Sequence, residues 1–128
     1  MWNDILDNNT FIKNLYKQVP ELLDVRIAEI KLLDEGDKVT IVLDLPKYAE
    51  NPPKKWNGLG YNTVVVEIDF FDIKEVYINS LKRGFKGNVE ITLNPDKTIS
   101  VIITGSVEAR ITAEAGLIQA VRGYCNKI

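Results

Sequence analysis

Acidic side chains that share one face of a strand are the first candidates for chemistry in this sequence. Glu67 and Asp69 lie two positions apart in a segment of alternating apolar and polar residues, so both would project from the same strand face. Two neighbouring carboxyl groups can act as acid and base in glycoside hydrolysis. A pair at this spacing is also typical of a solvated sheet face, and we favour that interpretation.

The chain contains no histidine. Histidine is the side chain that most often acts as general base near neutral pH, and it is the commonest protein ligand for metal ions. Its absence excludes a Ser-His-Asp triad, a Cys-His dyad and any zinc site that uses histidine. We therefore expect no enzymatic activity, no catalytic residues, no metal site and no cofactor.

Two charged turns suggest binding chemistry, but each has a simpler explanation. Asp34, Glu35 and Asp37 resemble part of a calcium loop, yet the segment is too short and lacks the distal bidentate glutamate. Gly36 favours a hairpin turn there. The group Lys82, Arg83, Phe85 and Lys86 combines cations with an aromatic ring, as nucleic-acid binders do. A charged hairpin loop is the interpretation we favour.

A long connection at residues 46–62 is the most conspicuous candidate for binding. It exceeds the roughly 12–15 residues above which loops become uncommon in compact domains and are often functional. Its prolines stiffen it and lower the entropy lost on binding. Its aromatic residues are of types that dominate binding hot spots, and two lysines accompany them: Tyr48, Lys54, Lys55, Trp56 and Tyr61. The alternative is that Trp56 folds back and caps one end of the sheet, because so large a side chain is usually mostly buried.

One amphipathic helix is predicted near the N-terminus. Apolar residues recur at helical spacing through Phe11, Leu15 and Val19. Pro20 should end the helix, because the residue before a proline is pushed out of the α region. We place the helix at residues 9–18.

From Val25 onward the apolar period changes to two residues, which predicts strands. A phase shift near Ala28 predicts a β-bulge in the first of them. Residues 111–121 are rich in helix formers, but alternation and Gly116 favour two strands there. The eight predicted strands are 25–33, 39–45, 64–70, 71–78, 88–93, 98–104, 107–114 and 117–124.

The expected fold is α+β: a predominantly antiparallel β meander of about eight strands, with the N-terminal helix packed on one face. Apolar residues make up 45% and charged residues 27% of the chain, the balance of a globular protein. We expect one domain over residues 1–128. The net charge of −2 opposes attraction to DNA, RNA or anionic lipid, so neither nucleic acid nor membrane is an expected partner.

A cytoplasmic protein is expected. Cys125 is the only cysteine, which excludes an internal disulfide and suits a reducing compartment. No secretory signal is visible at the start of the sequence, and no apolar stretch approaches the roughly 20 residues that cross a bilayer.

The order of these features resembles the Imm50-type immunity proteins of bacterial polymorphic toxin systems. The similarity rests on Val19-Pro20-Glu21-Leu22 after the helix, on Pro52-Pro53 followed by Lys55-Trp56, and on Tyr61-Asn62 opening a strand. Trp2 with Ile5 and Leu6 belongs to the same pattern, which covers nearly the whole chain. The resemblance implies a cytoplasmic protein that binds and neutralises a cognate toxin domain.

The resemblance transfers no contact residues, so we nominate them from their chemistry. Two groups are candidates for partner binding: the loop residues Tyr48, Lys54, Lys55, Trp56 and Tyr61, and an outward acidic row of Asp44, Glu67 and Asp69. An acidic row would suit a basic toxin surface, such as that of a nuclease. The alternative function is a small-ligand-binding module or a carboxylate-dependent enzyme.

Overall fold

The computed structural model describes residues 1–127, and in that part of the chain six antiparallel strands follow two short helices. The helices are α1 (Trp2–Ile5) and α2 (Thr10–Leu15). The strands are β1 (Val25–Leu33), β2 (Lys38–Asp44), β3 (Thr63–Ser80), β4 (Lys86–Leu93), β5 (Ile99–Gly105) and β6 (Val107–Tyr124). The antiparallel β-rich class is therefore confirmed, whereas the number of strands is smaller than predicted.

The single helix predicted at residues 9–18 is wrong in number and extent. Helix α2 ends at Leu15, because Tyr16 adopts an extended backbone with φ −135° and ψ 146°. The Leu15 carbonyl accepts hydrogen bonds from the N–H groups of Glu50 and Asn51, at 2.9 and 3.0 Å. These contacts with a distant loop replace the hydrogen bonds of another helical turn. The apolar stripe continues beyond the helix, since Tyr16 and Val19 are both buried.

Two predicted strand boundaries are absent, which reduces eight strands to six. Strand β3 runs without a break past Phe70 and Phe71, and its register against β6 shifts between Glu67 and Ile68 and again between Ile73 and Glu75. Strand β6 likewise continues through Gly116. A Cβ on Gly116 would lie 2.8 Å from the Leu6 side chain, so this glycine permits close packing and does not end a strand.

The strands form a closed sheet in the order β1-β2-β3-β6-β5-β4. The two halves, β1-β2-β3 and β4-β5-β6, are each meanders, but β3 pairs with β6 and not with β4. The simple meander is therefore wrong at this connection. The sheet closes through only two residue pairs, Val25 with Gly87 and Arg26 with Lys86.

Several local predictions are confirmed. The register of β1 against β2 shifts between Ile27 and Glu29, where the bulge was expected. Residues 34–37 form the turn of the β1-β2 hairpin. Residues 111–121 are strand and not helix. Each of these features follows from a pattern within a few neighbouring residues.

One cluster of buried residues fills the space between the sheet and the N-terminal segment. Trp2, Leu6 and Ile12 belong to it, and the Trp2 indole donates a hydrogen bond to the Pro20 carbonyl at 3.0 Å. The N-terminal segment crosses from β6 to β4, since the Asp7 N–H bonds to Gly116 and the Leu22 carbonyl bonds to Val89. Neither helix of the described chain has the length and apolar character to cross a membrane.

Candidate partner-binding surface

The aromatic residues of the 46–62 loop pack around Trp56, which is buried, whereas Tyr48 and Tyr61 are half-buried. The Trp56 ring centroid is 6.3 Å from that of Tyr48, 5.9 Å from that of Tyr61 and 6.2 Å from that of Phe11 on α2. Only 7% of Trp56 is exposed. We call these four side chains the aromatic cluster. The alternative in which the indole packs back onto the sheet is the one that the structure shows.

A glycine of β6 makes room for this packing. A Cβ on Gly123 would lie 2.5 Å from the Tyr61 ring and 3.1 Å from the Trp56 ring. The two rings therefore rest directly on the strand backbone. Sequence reasoning placed Phe11 in the helix stripe and had no signal for Gly123, because these residues meet the loop only in the folded chain.

The first part of the loop is fastened to the segment around α2. The buried Tyr16 hydroxyl donates to the Lys47 carbonyl at 2.6 Å. Burial raises the pKa of Tyr16 well above its ordinary value, and the nearby charge of Glu50 adds to the increase. The Lys17 N–H donates to the Glu50 carboxylate at 2.9 Å, and this bond, with the Lys47 ammonium, lowers the pKa of Glu50.

The lysines in the middle of the loop remain available to a partner. Lys54 and Lys55 are exposed, and within residues 1–127 neither forms an ion pair. Leu59 beside them is 54% exposed. Of the five loop residues nominated from the sequence, the lysines are the most accessible, Tyr48 and Tyr61 are half-buried, and Trp56 is buried.

The acidic row lies on adjacent strands, but each carboxylate has an intramolecular partner. Asp69 accepts a 2.6 Å hydrogen bond from the Thr40 hydroxyl and lies 3.7 Å from the Lys38 ammonium. Glu67 lies 3.8 Å from the Arg122 guanidinium. Asp44 and Asp69 are buried, which alternation alone did not predict. The row is therefore largely compensated by cations of the same sheet.

A cleft of about 810 Å³ opens beside Asp44. It lies where the sheet closes, between residues 26–28 of β1, Ser80, the residues 83–86 that lead into β4, and Asn126. We call it the Asp44 cleft. Three residues of the charged turn noted in the sequence, Arg83, Phe85 and Lys86, line it, whereas Lys82 does not.

Asp44, on β2, lines this cleft, and one of its carboxylate oxygens is held by neighbouring side chains. Its Oδ2 atom accepts a hydrogen bond from the Tyr124 hydroxyl at 2.8 Å and lies 3.5 Å from an Arg26 nitrogen. Burial raises the pKa of Tyr124, and its hydrogen bond to Asp44 adds to the increase. The Oδ1 atom is buried and has no hydrogen-bond partner among the described residues. Sequence reasoning nominated Asp44 but could not connect it with residues of β1 and β6.

The other chemical candidates from the sequence are not assembled into sites in the described chain. Glu67 and Asp69 each face a different cation, as given above. Among residues 1–127, no three histidine, cysteine or acidic side chains are grouped so that they could hold a metal ion. Cys125 is an exposed free thiol.

Comparison with known proteins gives one match. The family model of Imm50, described as immunity protein 50, matches residues 8–124. No curated protein and no solved structure matches the chain.

Proposed function

The chain belongs to the immunity protein 50 family, and from this premise we propose that it neutralises a cognate toxin domain of a bacterial polymorphic toxin system by binding to it. The observation that carries the proposal is the extent of the match, residues 8–124, which includes α2 and all six strands. A match of this extent relates the whole scaffold to immunity proteins and not one short motif.

Neutralisation by occlusion requires complementary shape and charge but no bond-making chemistry. Lys54 and Lys55 are exposed and form no ion pair within the described chain, and Glu67 on β3 is partly exposed beside Arg122. We propose that these residues contact the toxin together with the outer edges of Tyr48 and Tyr61. Trp56 holds the loop in place through its ring contacts with Tyr48 and Tyr61. Asp69 acts indirectly, by holding Thr40 and Lys38 in place, and Asp44 lines the cleft at the closure of the sheet.

The type of toxin is a separate question. A nuclease with a cationic cleft would be met best by free carboxylates. The acidic row gives little support to that choice, because Asp44, Glu67 and Asp69 already face cations of their own sheet. The proposal therefore names a toxin domain without assigning its activity.

We also propose that residues 1–128 act as one domain in the cytoplasm and that the protein is not an enzyme. The N-terminal segment and the strands contribute to one buried cluster, which supports a single cooperative unit. One cysteine in the whole sequence suits a reducing compartment.

Co-expression tests the proposal. The toxin domain encoded beside the gene for this chain is expressed in a sensitive host with and without the chain. We expect growth to be restored by the chain, and a tagged copy should purify together with an inactivated toxin domain. Undiminished killing in cells that contain the folded chain would refute the proposal.

A small-ligand-binding module is the second candidate, and one observation favours it. The volume of the Asp44 cleft, about 810 Å³, lies within the roughly 300–1,000 Å³ of typical ligand pockets. This function would be favoured if a metabolite raised the unfolding temperature of the free chain while the toxin domain left that temperature unchanged.

A further inference from the structure

We propose that the Asp44 cleft is the docking site for an acidic segment of the toxin, with Arg83 and Lys86 receiving its carboxylates. The proposal rests on the toxin-binding function proposed above and adds the chemistry of the partner segment. The acidic row suggested a basic toxin surface. The cleft suggests the opposite, namely that the toxin segment is acidic and that this chain supplies the cations.

The charges around the cleft carry the first step of the argument. Arg83 is exposed and has no ion-pair partner within residues 1–127. Lys86 lies 3.4 Å from Asp24, but both side chains are exposed, so this pair contributes little and can exchange for another carboxylate. The overall charge of the chain is −2, so this corner differs in sign from the molecule as a whole. Arginine and lysine in such a position attract carboxylates.

The buried carboxylate of Asp44 carries the second step. Asp44 is only 6% exposed, and its Oδ1 atom has no hydrogen-bond partner in the described chain. A buried acceptor without a hydrogen-bond partner is destabilising, which makes a bound donor favourable at this position. A main-chain N–H of a bound segment would supply that donor.

Arg26 lies between the cations of the cleft and Asp44. Its guanidinium lies 3.5 Å from Asp44 Oδ2, which is long for a charge-assisted hydrogen bond, and its side chain is 53% exposed. Arg26 can therefore turn toward an incoming carboxylate and uncover Asp44. The Tyr124 hydroxyl, 2.8 Å from Asp44 Oδ2, is a second donor to this carboxylate that does not depend on Arg26.

The walls of the cleft favour a polypeptide over a phosphate compound. Ala28 and Phe85 provide an apolar surface beside the cations, which suits an acidic residue with an apolar neighbour. A compact polyanion such as pyrophosphate would bring its whole charge close to Asp44 in the cleft and to Asp24 at its edge. An extended polypeptide can instead set its carboxylates beside Arg83 and Lys86 and a neutral main-chain N–H toward Asp44. Nucleic acid would in addition meet a chain with a net negative charge.

A charge reversal with an adjacent control tests the proposal against the toxin domain encoded beside the gene. Arg83→Glu should raise the Kd by about tenfold or more, because it places a carboxylate opposite the acidic segment. Lys82→Glu makes the same charge change one residue earlier, outside the cleft, and should stay within about threefold of the wild type. Equal effects of the two variants would overturn the docking site. Failure of the wild-type chain to bind the toxin would refute the proposed function instead.

A peptide titration tests the cleft without the toxin. The isotope-labelled chain is titrated with the capped peptide Glu-Phe-Asp-Glu, with its neutral counterpart Gln-Phe-Asn-Gln and with inorganic pyrophosphate, and amide shifts are followed by NMR. We expect the acidic peptide alone to shift the signals of Arg26, Arg83 and Phe85, and Arg83→Glu to abolish the shifts while the remaining spectrum stays folded. Stronger shifts with pyrophosphate, or equal shifts with the neutral peptide, would contradict the proposal.

Discussion

Two connections of this protein have similar compositions and different surroundings. The 46–62 loop and the turn at residues 82–86 both combine aromatic rings with cations. In the loop, Trp56 is 7% exposed and its ring lies within 6.3 Å of three other rings, centroid to centroid. In the turn, Arg83 is exposed and Phe85 is half-buried at the edge of a cleft. Composition alone therefore does not distinguish a structural connection from a binding one.

The difference arises from what each aromatic side chain meets. The loop lies beside α2 and β6, where Phe11 and the bare backbone of Gly123 offer apolar surface, so the Trp56 ring is withdrawn from water. The turn lies where the sheet closes through two residue pairs, and there the chain leaves an open cleft. The packed part of the loop therefore stabilises the fold, whereas the turn borders the cleft that we propose as a docking site.

The largest expected effect is that of Trp56→Ala on stability. Removing the buried indole should lower the free energy of unfolding by about 3–5 kcal/mol, because a cavity remains among the other rings. Urea denaturation measures it, with Lys54→Ala as the exposed control, for which about 0.5 kcal/mol or less is expected. If Trp56→Ala kept its stability and lost only toxin affinity, the loop would be the binding region and the comparison would be reversed.

The next effect concerns the contact between the loop and β6. Gly123→Ala should cost about 1–3 kcal/mol of unfolding free energy, since the added methyl group meets the Tyr61 ring at 2.5 Å. The same substitution should cost less in a Tyr61→Ala background, which a double-mutant cycle would reveal. Cys125→Ala, an exposed neighbour, serves as the control. Additive costs in the cycle would show that the ring does not rest on the strand.

Alkaline pH should weaken the attachment of the loop to Tyr16. Burial and then Glu50 raise the pKa of Tyr16 above its ordinary value of 10.0, so the folded chain keeps a proton that the unfolded chain releases. The stabilisation is fully present below pH 10 and is lost as the pH rises above it, by up to about 1.4 kcal/mol per pH unit. Denaturation between pH 9 and 11.5 should show a shallower decline in Tyr16→Phe. If stability declined equally with pH in the wild type and in Tyr16→Phe, the raised pKa of the buried Tyr16 hydroxyl would be contradicted. Tyr124→Phe serves as a comparison, because the pKa of the Tyr124 hydroxyl is also raised.

The smallest expected effect on stability is that of the exposed loop lysines. Lys54→Glu combined with Lys55→Glu should change the free energy of unfolding by no more than about 0.5 kcal/mol, because neither lysine has an ion-pair partner in the described chain. The affinity for the toxin domain should fall measurably if this edge of the loop also contacts the toxin. A loss of more than 1 kcal/mol in stability would show that the lysines belong to the packed part.

Short-range patterns predicted much of the fold. Alternation identified the strands, the phase shift near Ala28 located a bulge, and residues 34–37 were recognised as a turn. These features depend on neighbouring residues only. The end of α2 depends instead on hydrogen bonds from Glu50 and Asn51, and β6 continues through Gly116 by pairing with Phe70 of β3. No local window contains those partners.

The candidate site shows the same limit. Asp44 was nominated as a member of an acidic row, and its position on β2 was predicted. Its actual partners are Arg26 of β1 and Tyr124 of β6, the latter 80 positions away in the sequence. The charged turn was interpreted as a simple hairpin loop, because its role as a cleft wall depends on closure of the sheet between Arg26 and Lys86.

Titration of toxin activity with the purified chain tests the central claim most directly, namely that the protein acts by covering the surface of a toxin. The toxin domain is held at a concentration far above the expected Kd while increasing amounts of the chain are added. We predict a linear loss of activity that reaches its end at a fixed stoichiometric ratio and returns in full when the complex is denatured and the toxin refolded. Complete and permanent inactivation by a small fraction of that ratio would mean that the chain modifies the toxin catalytically, and would contradict the account.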